Sequence, residues 1–571
     1  MVNIQQAISV KYPTITKLPF VIKKPVFSFI KKLIKENEIN SFVKAHENAG
    51  PFEFIDGVLD YFDFSYKVSS NQIENIPTSG RVVIIANHPL GALDALSLIN
   101  LIKEVRSDIK IVANDVLSQI NQLKPILLSI DAFGLKTSKE TIEQIYTSLD
   151  NEEAVIIFPS GEVSRARPDG IKDTKWHKGF LKFALKKNAP ILPINIKAKN
   201  STLFYTISTI NKKLSAALLP YEMFNKKNKS LEFVIGEIIP FKSFAQNNFD
   251  IKTKVKLFKK HLYNISKKKR PIFNTQRCIA KPENRQSIKE ELNAADHLGE
   301  TNDGKTIYLC EYKKESSVMK EISRLREFTF RKVEEGTGKK RDLDEFDEYY
   351  KHIVLWDDEK LEIVGSYRIG ESDFINEYFG KVGFYSNSLF NFNEKFEPYL
   401  TNSIELGRSF VQPRYWGSRA LDYLWQGIGA YLYKNPHIRY MFGPVSLSSS
   451  IPKGAQNLII YYYSKYYSAH TSLISPISPF VLTKSEKDEL DDIFTKEDEK
   501  ENFLVLKEQL QCYNATVPTL YKQYTELCEE GGISFMGYNI DEKFNNCLDS
   551  FILVDIEKVK EKKRKRYIKD S

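Results

Sequence analysis

His88 and Asp94 sit six positions apart at the end of the apolar run Val83-Ile-Ile-Ala86, with Pro89 and Gly91 between them. A second apolar run, Val155-Ile-Ile-Phe158, stops at Pro159-Ser160-Gly161-Glu162-Val163-Ser164-Arg165. The first block supplies an imidazole and a carboxylate to fix its tautomer. The second supplies a turn with Gly161, Glu162 and Arg165, whose guanidinium pairs with phosphate or carboxylate. Together they suit removal of a proton from a hydroxyl beside an anionic group. On one continuous helix positions 88 and 94 would diverge by about 120°, so the chain must turn between them. Proline suits the first helical position and glycine tolerates tight geometry. His88 is therefore expected in a strand-to-helix turn and Asp94 in the first turn of the helix. Asp173 and Trp176 follow, with Lys172, Lys175 and Lys178 around them. These lysines either hold an anionic headgroup or carrier, or form a charged surface loop.

The second half carries a different set. Asp344-Glu-Phe-Asp347 is a paired-acid turn, Arg368 ends the strand-like run Val364–Arg368, and Glu405-Leu-Gly-Arg408 opens another. Arg414-Tyr-Trp-Gly417-Ser418 then precedes a helical stretch. Such charges ordinarily form salt bridges, but they also suit an amine nucleophile. An α-amine is protonated at neutral pH, and a carboxylate such as Glu405 can take its proton. Arg368 or Arg408 would hold the carboxylate of an amino acid, and Asp344 or Asp347 a cationic side chain. Backbone N–H groups on splayed strands would stabilise an oxyanion. None of the five cysteines sits in a nucleophile-like context.

At 571 residues the chain exceeds one ordinary core. Alternating strand and helix patterns predict an α/β fold in both halves: an N-terminal domain over 1–265, a basic linker over 266–300 and a second α/β domain over 301–571 with a dense basic tail. Strands are expected at Arg81–Ala86, Ile109–Ala113, Ala154–Phe158 and Ile191–Ile196, then at His352–Trp356, Glu362–Arg368, Glu405–Pro413 and Tyr440–Val445. Residues 18–36 read as a basic amphipathic helix, lying either in an anionic leaflet or on its own domain. The basic run Lys558–Lys569 reads as a solvated tail or an anionic-surface contact. The net charge of +10 fits an anionic membrane surface, an acidic carrier protein or nucleic acid, but no nucleic-acid motif accompanies it. Scattered cysteines and only 8 histidines argue against disulfides and against a metal site. No signal peptide is visible and no apolar run reaches the roughly 18–20 residues a span requires. A cytoplasmic protein that meets lipid at the membrane surface is expected.

The first pair of blocks resembles the glycerolipid acyltransferase family of the 1-acylglycerol-3-phosphate type. Its pattern is His-x4-Asp, a Phe-Pro-Glu-Gly-Thr-Arg-Ser-like block and a Val-Pro-Val-like strand. Here these stand as His88…Asp94, Phe158–Arg165 and Ile191-Leu192-Pro193-Ile194, within residues 60–240. The His–Asp spacing is one residue longer, Ser160 replaces a Glu, an acid stands at Glu162, and the Arg is shifted to Arg165. The family binds the acceptor's phosphate with that block; a carboxylate-bearing acceptor would suit Arg165 equally. Residues 305–557 resemble the acyl-homoserine-lactone synthases and ornithine N-acyltransferases, variants of the GNAT fold. The resemblance places Glu405 near the acceptor amine, makes Asp344, Asp347, Arg368 and Arg408 organise the acceptor, and gives Arg414, Gly417 and Ser418 to the acyl donor, with Arg419 where a small residue is usual. The order of the halves resembles the bacterial bifunctional ornithine lipid synthases. That implies N-acylation of ornithine with a 3-hydroxyacyl group, then O-acylation of the lyso-lipid. It further implies acyl-ACP (acyl carrier protein) thioester donors, with acyl-CoA the other candidate, no bound cofactor, and a peripheral place on the inner face of the cell membrane. The alternative is a lysophosphatidate-type acyltransferase with an accessory GNAT-like domain.

Overall fold

Val82–Ala86 is buried at all five positions, as expected of a strand covered on both faces. Its side chains alternate between two cores. Val82, Ile84 and Ala86 enter one, and Val83 and Ile85 enter the other. The computed structural model describes residues 35–569 except 115–119, 131–137, 211–214, 216–217, 247 and 470–471. The helix expected over 18–36 falls, up to residue 34, outside the described residues. The chain divides into two units, Met1–Cys278 and Ile279–Ser571.

The first unit is built on a seven-stranded sheet. In chain order its strands are β1 (Ser65–Lys67), β2 (Val82–Ala86), β3 (Ile109–Asn114), β4 (Leu127–Ile130) and β5 (Ala154–Ile157). The small hairpin β6 (Arg165–Arg167) and β7 (Gly170–Lys172) comes next, before β8 (Ile191–Lys197) and β9 (Ser230–Ile235) complete the sheet. The sheet order is β1-β9-β8-β2-β5-β3-β4. β8, β2, β5, β3 and β4 are parallel, and β9 runs antiparallel to β8. Because β2 and β5 are parallel neighbours, their C-terminal ends lie side by side. Both motif blocks leave the sheet from those ends, where open α/β sheets place their ligands. Helix α1 (Ala92–Lys103) follows β2, and α2 (Thr202–Ile210) follows β8.

The second unit has an eight-stranded sheet. Its strands are β10 (Asp296–Glu300), β11 (Lys305–Cys310), β12 (Lys351–Asp357) and β13 (Glu362–Glu371), then, past a short β14 (Phe390–Phe392), β15 (Ser403–Val411) and β16 (Tyr440–Leu447). A short β17 (Ile474–Pro476) pairs with β14, and β18 (Ile533–Asp541) and β19 (Cys547–Asp555) close the set. The order is β10-β11-β12-β13-β15-β16-β19-β18. β15 and β16 pair in parallel only from Ser403↔Tyr440 to Glu405↔Phe442, then part. Ile404 and Leu406 enter a core shared with helices α3 (Ala420–Lys434) and α4 (Lys453–Tyr467). Phe442, Phe551 and Leu553 fill a separate aromatic core. A bulge lies opposite Tyr367, because Arg368 pairs with Gly407 and Ser366 with Phe410. Arg408 takes φ +49 within it.

Two stretches differ from the sequence reading. Residues 285–300, expected as the end of a linker, form the helix Arg285–Asn293 and the edge strand β10. Ile288 and Leu292 are buried against Val318, Ile322 and Trp356. The basic tail is not wholly solvated. Glu561–Tyr567 is a short helix on which Tyr567 and Arg566 donate to Asp422 of α3 at 2.7 and 2.6 Å. Among the described residues no helix is long and apolar enough to cross a membrane.

Just where β15 and β16 cease to pair, Gly443, at φ +155, lets the two backbones come close: an added Cβ would lie 2.1 Å from the Leu406 carbonyl oxygen. Gly443→Ala is expected to destabilise the second unit by about 1–3 kcal/mol, read as an earlier unfolding transition in denaturant.

Candidate functional site

In the first unit, the turn after β2 is locked before it reaches His88. Asn87 acts as an extra rung against β8: its Nδ2 donates to the Ile196 carbonyl at 2.9 Å and its Oδ1 accepts from Ile196 N–H at 2.7 Å. Gly91 takes φ +107 and α1 begins at Ala92, so Pro89 lies in the turn and not at the first helical position. Asp94, fully buried, closes that turn: its Oδ2 accepts from the N–H groups of Leu90 and Gly91 at 2.7 and 3.3 Å. Its Oδ1 lies 3.0 Å from Nδ1 of His88. The imidazole stacks near Phe158 from the second block, at 4.2 Å between ring centres. Its side chain is 19% exposed. Because Nδ1 itself is buried, that exposure belongs to the rest of the ring. Burial pushes the imidazole pKa down, but the Asp94 carboxylate, aided by Asp173, outweighs burial and raises it.

The second block is tied to the first through its backbone and through Asp173. Ser164 N–H donates to the His88 carbonyl at 2.7 Å. The buried Asp173 carboxylate accepts from Ser164 hydroxyl at 2.6 Å, Trp176 Nε1–H at 2.8 Å and His88 N–H at 3.2 Å. Gly161 turns with φ +63 beside the His177 ring. Arg165 is buried: its Nη1 donates to Ser208 and Ser215 at 2.8 and 2.6 Å, and its Nη2 lies 3.4 Å from Glu162. Its Nε meets no partner among the described residues. Lys175 is exposed. His88, Asp94 and the Gly161–Arg165 turn therefore come together, while Lys175 stands at the surface.

In the second unit Glu405, 1% exposed, is held by three donors. Ser386 N–H meets Oε1 at 2.6 Å; Tyr385 N–H meets Oε2 at 3.1 Å, and the Tyr350 hydroxyl donates to the same oxygen. Burial raises its pKa against the lowering effect of those bonds. Asp344 and Asp347 cap each other, Asp344 N–H donating to Asp347 at 2.9 Å and Asp347 N–H to Asp344 at 3.2 Å. Asp347 is fully buried, whereas Asp344 is 21% exposed. Arg326 grips Asp347 through Nη1 and Nη2 at 2.8 and 2.7 Å, Arg368 donates to Asp344 at 2.6 Å and to Asp347 at 3.2 Å, and Arg408 donates to Asp344 at 3.3 Å. The sequence reading gave these acids to a side-chain cation; three guanidinium groups already neutralise them. Burial works against their ionised form, but the guanidinium charges outweigh it and keep both carboxyl pKa values low. Arg368 is 1% exposed, and its Nε and Nη2 donate to no described residue. The left-handed Arg408 lays its guanidinium over the rings of Tyr385 and Phe544, at 4.7 and 4.3 Å. Arg414 lies apart, paired with Glu362 at 2.7 Å. Gly417, at φ +77, and Ser418 form an exposed turn before α3; the Ser418 hydroxyl accepts from Ala420 N–H at 3.2 Å, and Arg419 at the N-cap makes no side-chain cap.

Arg326, Tyr350, Tyr385 and Ser386 were not read from the sequence as site residues. Arg326 was open to detection: with Ile322, Leu325 and Thr329 it shares the buried face of the helix Ser317–Lys332, an unusual place for a charge unless acids await it. The others lie in loops and strand ends with no periodic signature.

Residues 11–269 match a family model described as acyltransferase, and residues 325–426 one described as acetyltransferase (GNAT) domain. A glycine N(alpha)-acyltransferase of Phocaeicola vulgatus is 33% identical over 304 residues, covering 51% of this chain and 92% of that protein. A lyso-glycine lipid O-acyltransferase of the same organism is 27% identical over 230 residues, covering 39% of this chain and 81% of that protein. An L-ornithine N(alpha)-acyltransferase of Rhizobium meliloti is 37% identical over 125 residues, 21% of this chain and 41% of that protein.

If Asp94 sets the protonation of His88, Asp94→Asn leaves burial in place and removes the charge that offsets it. The His88 titration midpoint, followed by ring NMR signals, is expected to fall, since burial then acts with only Asp173 against it.

Proposed function

The chain belongs to the amino-acid acyltransferases, an acyltransferase domain followed by a GNAT domain, and we propose that it makes a doubly acylated amino-acid lipid. The second unit joins a 3-hydroxyacyl group to the α-amine of an amino acid. The first unit then esterifies the hydroxyl of that lyso-lipid with a second acyl chain. Both take activated thioesters, carried on an acidic acyl carrier protein that suits the basic surface of the chain. The protein works at the inner face of the cell membrane, where its lipid intermediate resides.

One observation carries the reading: each unit holds its own buried set of ionisable groups, with His88 against Asp94 in the first, and in the second Glu405 within the field of Arg368, which also pairs with Asp344 and Asp347. In the first, Nε2 of His88 removes the proton of the lyso-lipid hydroxyl while Asp94 holds Nδ1–H. The oxygen attacks the thioester carbonyl, and the imidazolium returns its proton to the departing thiolate. The Gly161–Arg165 turn borders the acceptor. In the second, the free Nε and Nη2 of Arg368 suit the carboxylate of the amino acid. The turn at Arg414, Gly417 and Ser418, with the N-terminus of α3, suits the donor's phosphate.

Glycine is the favoured amino acid. Asp344 and Asp347 are spent on arginines, which leaves neither to bind the side-chain ammonium of ornithine. The relative with glycine in its name matches over a longer stretch than the ornithine enzyme does.

The test is lipid mass spectrometry with purified protein, acyl thioesters and labelled glycine or ornithine. The unaltered protein is expected to yield both mono- and diacylated glycine. His88→Ala should accumulate the monoacyl amide, with the ester-forming step slowed by about 100-fold or more. Glu405→Ala should make neither lipid. Ester formation on lysophosphatidate with no amide from any amino acid would establish the alternative, an accessory GNAT-like domain.

A further inference from the structure

Amide formation leaves one proton without an acceptor in the second site. Glu405 is the expected base, yet its Oε1 is held by Ser386 N–H and its Oε2 by Tyr350 and Tyr385. Its carboxylate anchors the 385–386 turn and has little left to offer an incoming amine.

Asp549 is placed differently. It lies on β19 in register with Ser446 of β16, whose hydroxyl donates to Oδ1 at 2.7 Å. Its Oδ2 accepts no hydrogen bond from the described residues. Alternation along β19 puts Asp549 on the same face as Phe551 and Leu553, away from Ser550, whose hydroxyl meets Tyr521. Phe442 belongs to that aromatic face, and Glu405 shares it because its neighbours Ile404 and Leu406 sink into the opposite core. The left-handed bulge turns Arg408 to the ring of Tyr385, the residue whose N–H holds Glu405. Asp549 thus lies on the strand beyond β16, level with Ser446, which is four residues along from Phe442, the partner of Glu405; there it feels Arg408 and Tyr385 across the β15–β16 gap.

We propose that Asp549 is the proton acceptor of the amide-forming step and that Glu405 is a positioning residue for the turn beside it. The inference rests on the amide-forming reading of this unit. The acceptor ammonium gives one proton to the Asp549 carboxylate. The neutral amine attacks the thioester carbonyl, the C–S bond breaks, and the nitrogen's second proton passes to the departing thiolate. Asp549 then releases its proton to water, so one amide, one thiol and one proton result. The electrostatics agree with the geometry. Burial raises the Asp549 pKa, the Ser446 hydrogen bond lowers it, Asp541 raises it and Arg408 lowers it, leaving it at about 7. Glu335, pushed up to about 7 itself, and the Cys547 thiol and Tyr385 hydroxyl also feel this carboxylate. A base of that strength is free at neutral pH and still basic enough to work.

The rate of glycine amidation by the full chain, measured from pH about 5 to about 10, tests this. The unaltered protein should show a rise with a midpoint near pH 7. In Asp549→Asn that rise disappears, the rate at neutrality falls by about 100-fold or more, and activity returns only as the amine deprotonates by itself. Ser446→Ala keeps the high-pH rate but moves the midpoint upward, because the carboxylate loses a donor. Glu405→Gln lowers the rate at every pH without moving the midpoint. An unchanged rise in Asp549→Asn, or its loss in Glu405→Gln, overturns the assignment. Should Asp549→Asn fail to fold, an unmoved midpoint in Ser446→Ala overturns it as well. Absence of amidation by the unaltered protein would instead defeat the functional reading on which the assignment stands.

Discussion

Asp94 is the hinge of the first site. A carboxylate at zero exposure is costly unless every lone pair is used. Asp94 uses one oxygen for the two N–H groups of the turn and the other for His88. The same charge shapes the backbone and sets the base. That double duty explains the spacing: six positions, with a left-handed Gly91 between, bring the imidazole back over the start of the helix. Asp173 repeats the device one loop further on. By accepting from His88 N–H, Ser164 and Trp176, it fixes the two blocks to each other without touching the reacting ring.

The second unit solves a related problem with the signs rearranged. Arg326, Arg368 and Arg408 face Asp342, Asp344 and Asp347 in a nearly sealed network. Breaking one member would strand a buried charge, a loss of about 3–5 kcal/mol, so the network is rigid by necessity. Rigidity lets Arg368 keep two nitrogens unspent. Arg408 sits in a backbone conformation that costs a non-glycine residue about 1–2 kcal/mol. The bulge, the aromatic contacts and the Asp342–Asp344 pairing over-determine it.

The sequence was most legible where an apolar run met a polar turn. The strands around Val82–Ala86, Ala154–Ile157 and Ile191–Lys197, and the placing of His88 and Asp94, follow from periodicity and from the steric needs of proline and glycine. The acids at 344 and 347 were visible as a pair, but their partners were not. Arg326 comes from a helix 18 positions before Asp344 and Arg408 from a strand beyond it, and only tertiary pairing reveals that they consume the acids. Asp549 falls within the family resemblance of residues 305–557, but the segment carrying it shows no strand signature in the sequence. Cys547–Asp555 is buried on both faces except at its last residue, so it shows no alternation, and the polar Asp549-Ser550 step interrupts its apolar run. A residue that breaks a strand's pattern without breaking the strand is a signal of function that periodicity alone discards.

The two units must also draw protons from unlike groups, and the fold meets each need from the opposite direction. A hydroxyl holds its proton tightly and calls for a base stronger than a buried imidazole. Burial would lower His88, and a carboxylate beside it lifts it again. An ammonium yields its proton more readily but calls for a base that an ordinary carboxylate, at its usual pKa, is too weak to be. Burial supplies the difference at Asp549, with Arg408 and Ser446 limiting the rise. In one unit charge corrects what burial does, and in the other burial corrects what charge and hydrogen bonding do. In both the pKa is raised, so each proposed base is stronger than the same group in water. Both proposed bases are set in largely buried surroundings, where water does not return them to their ordinary values.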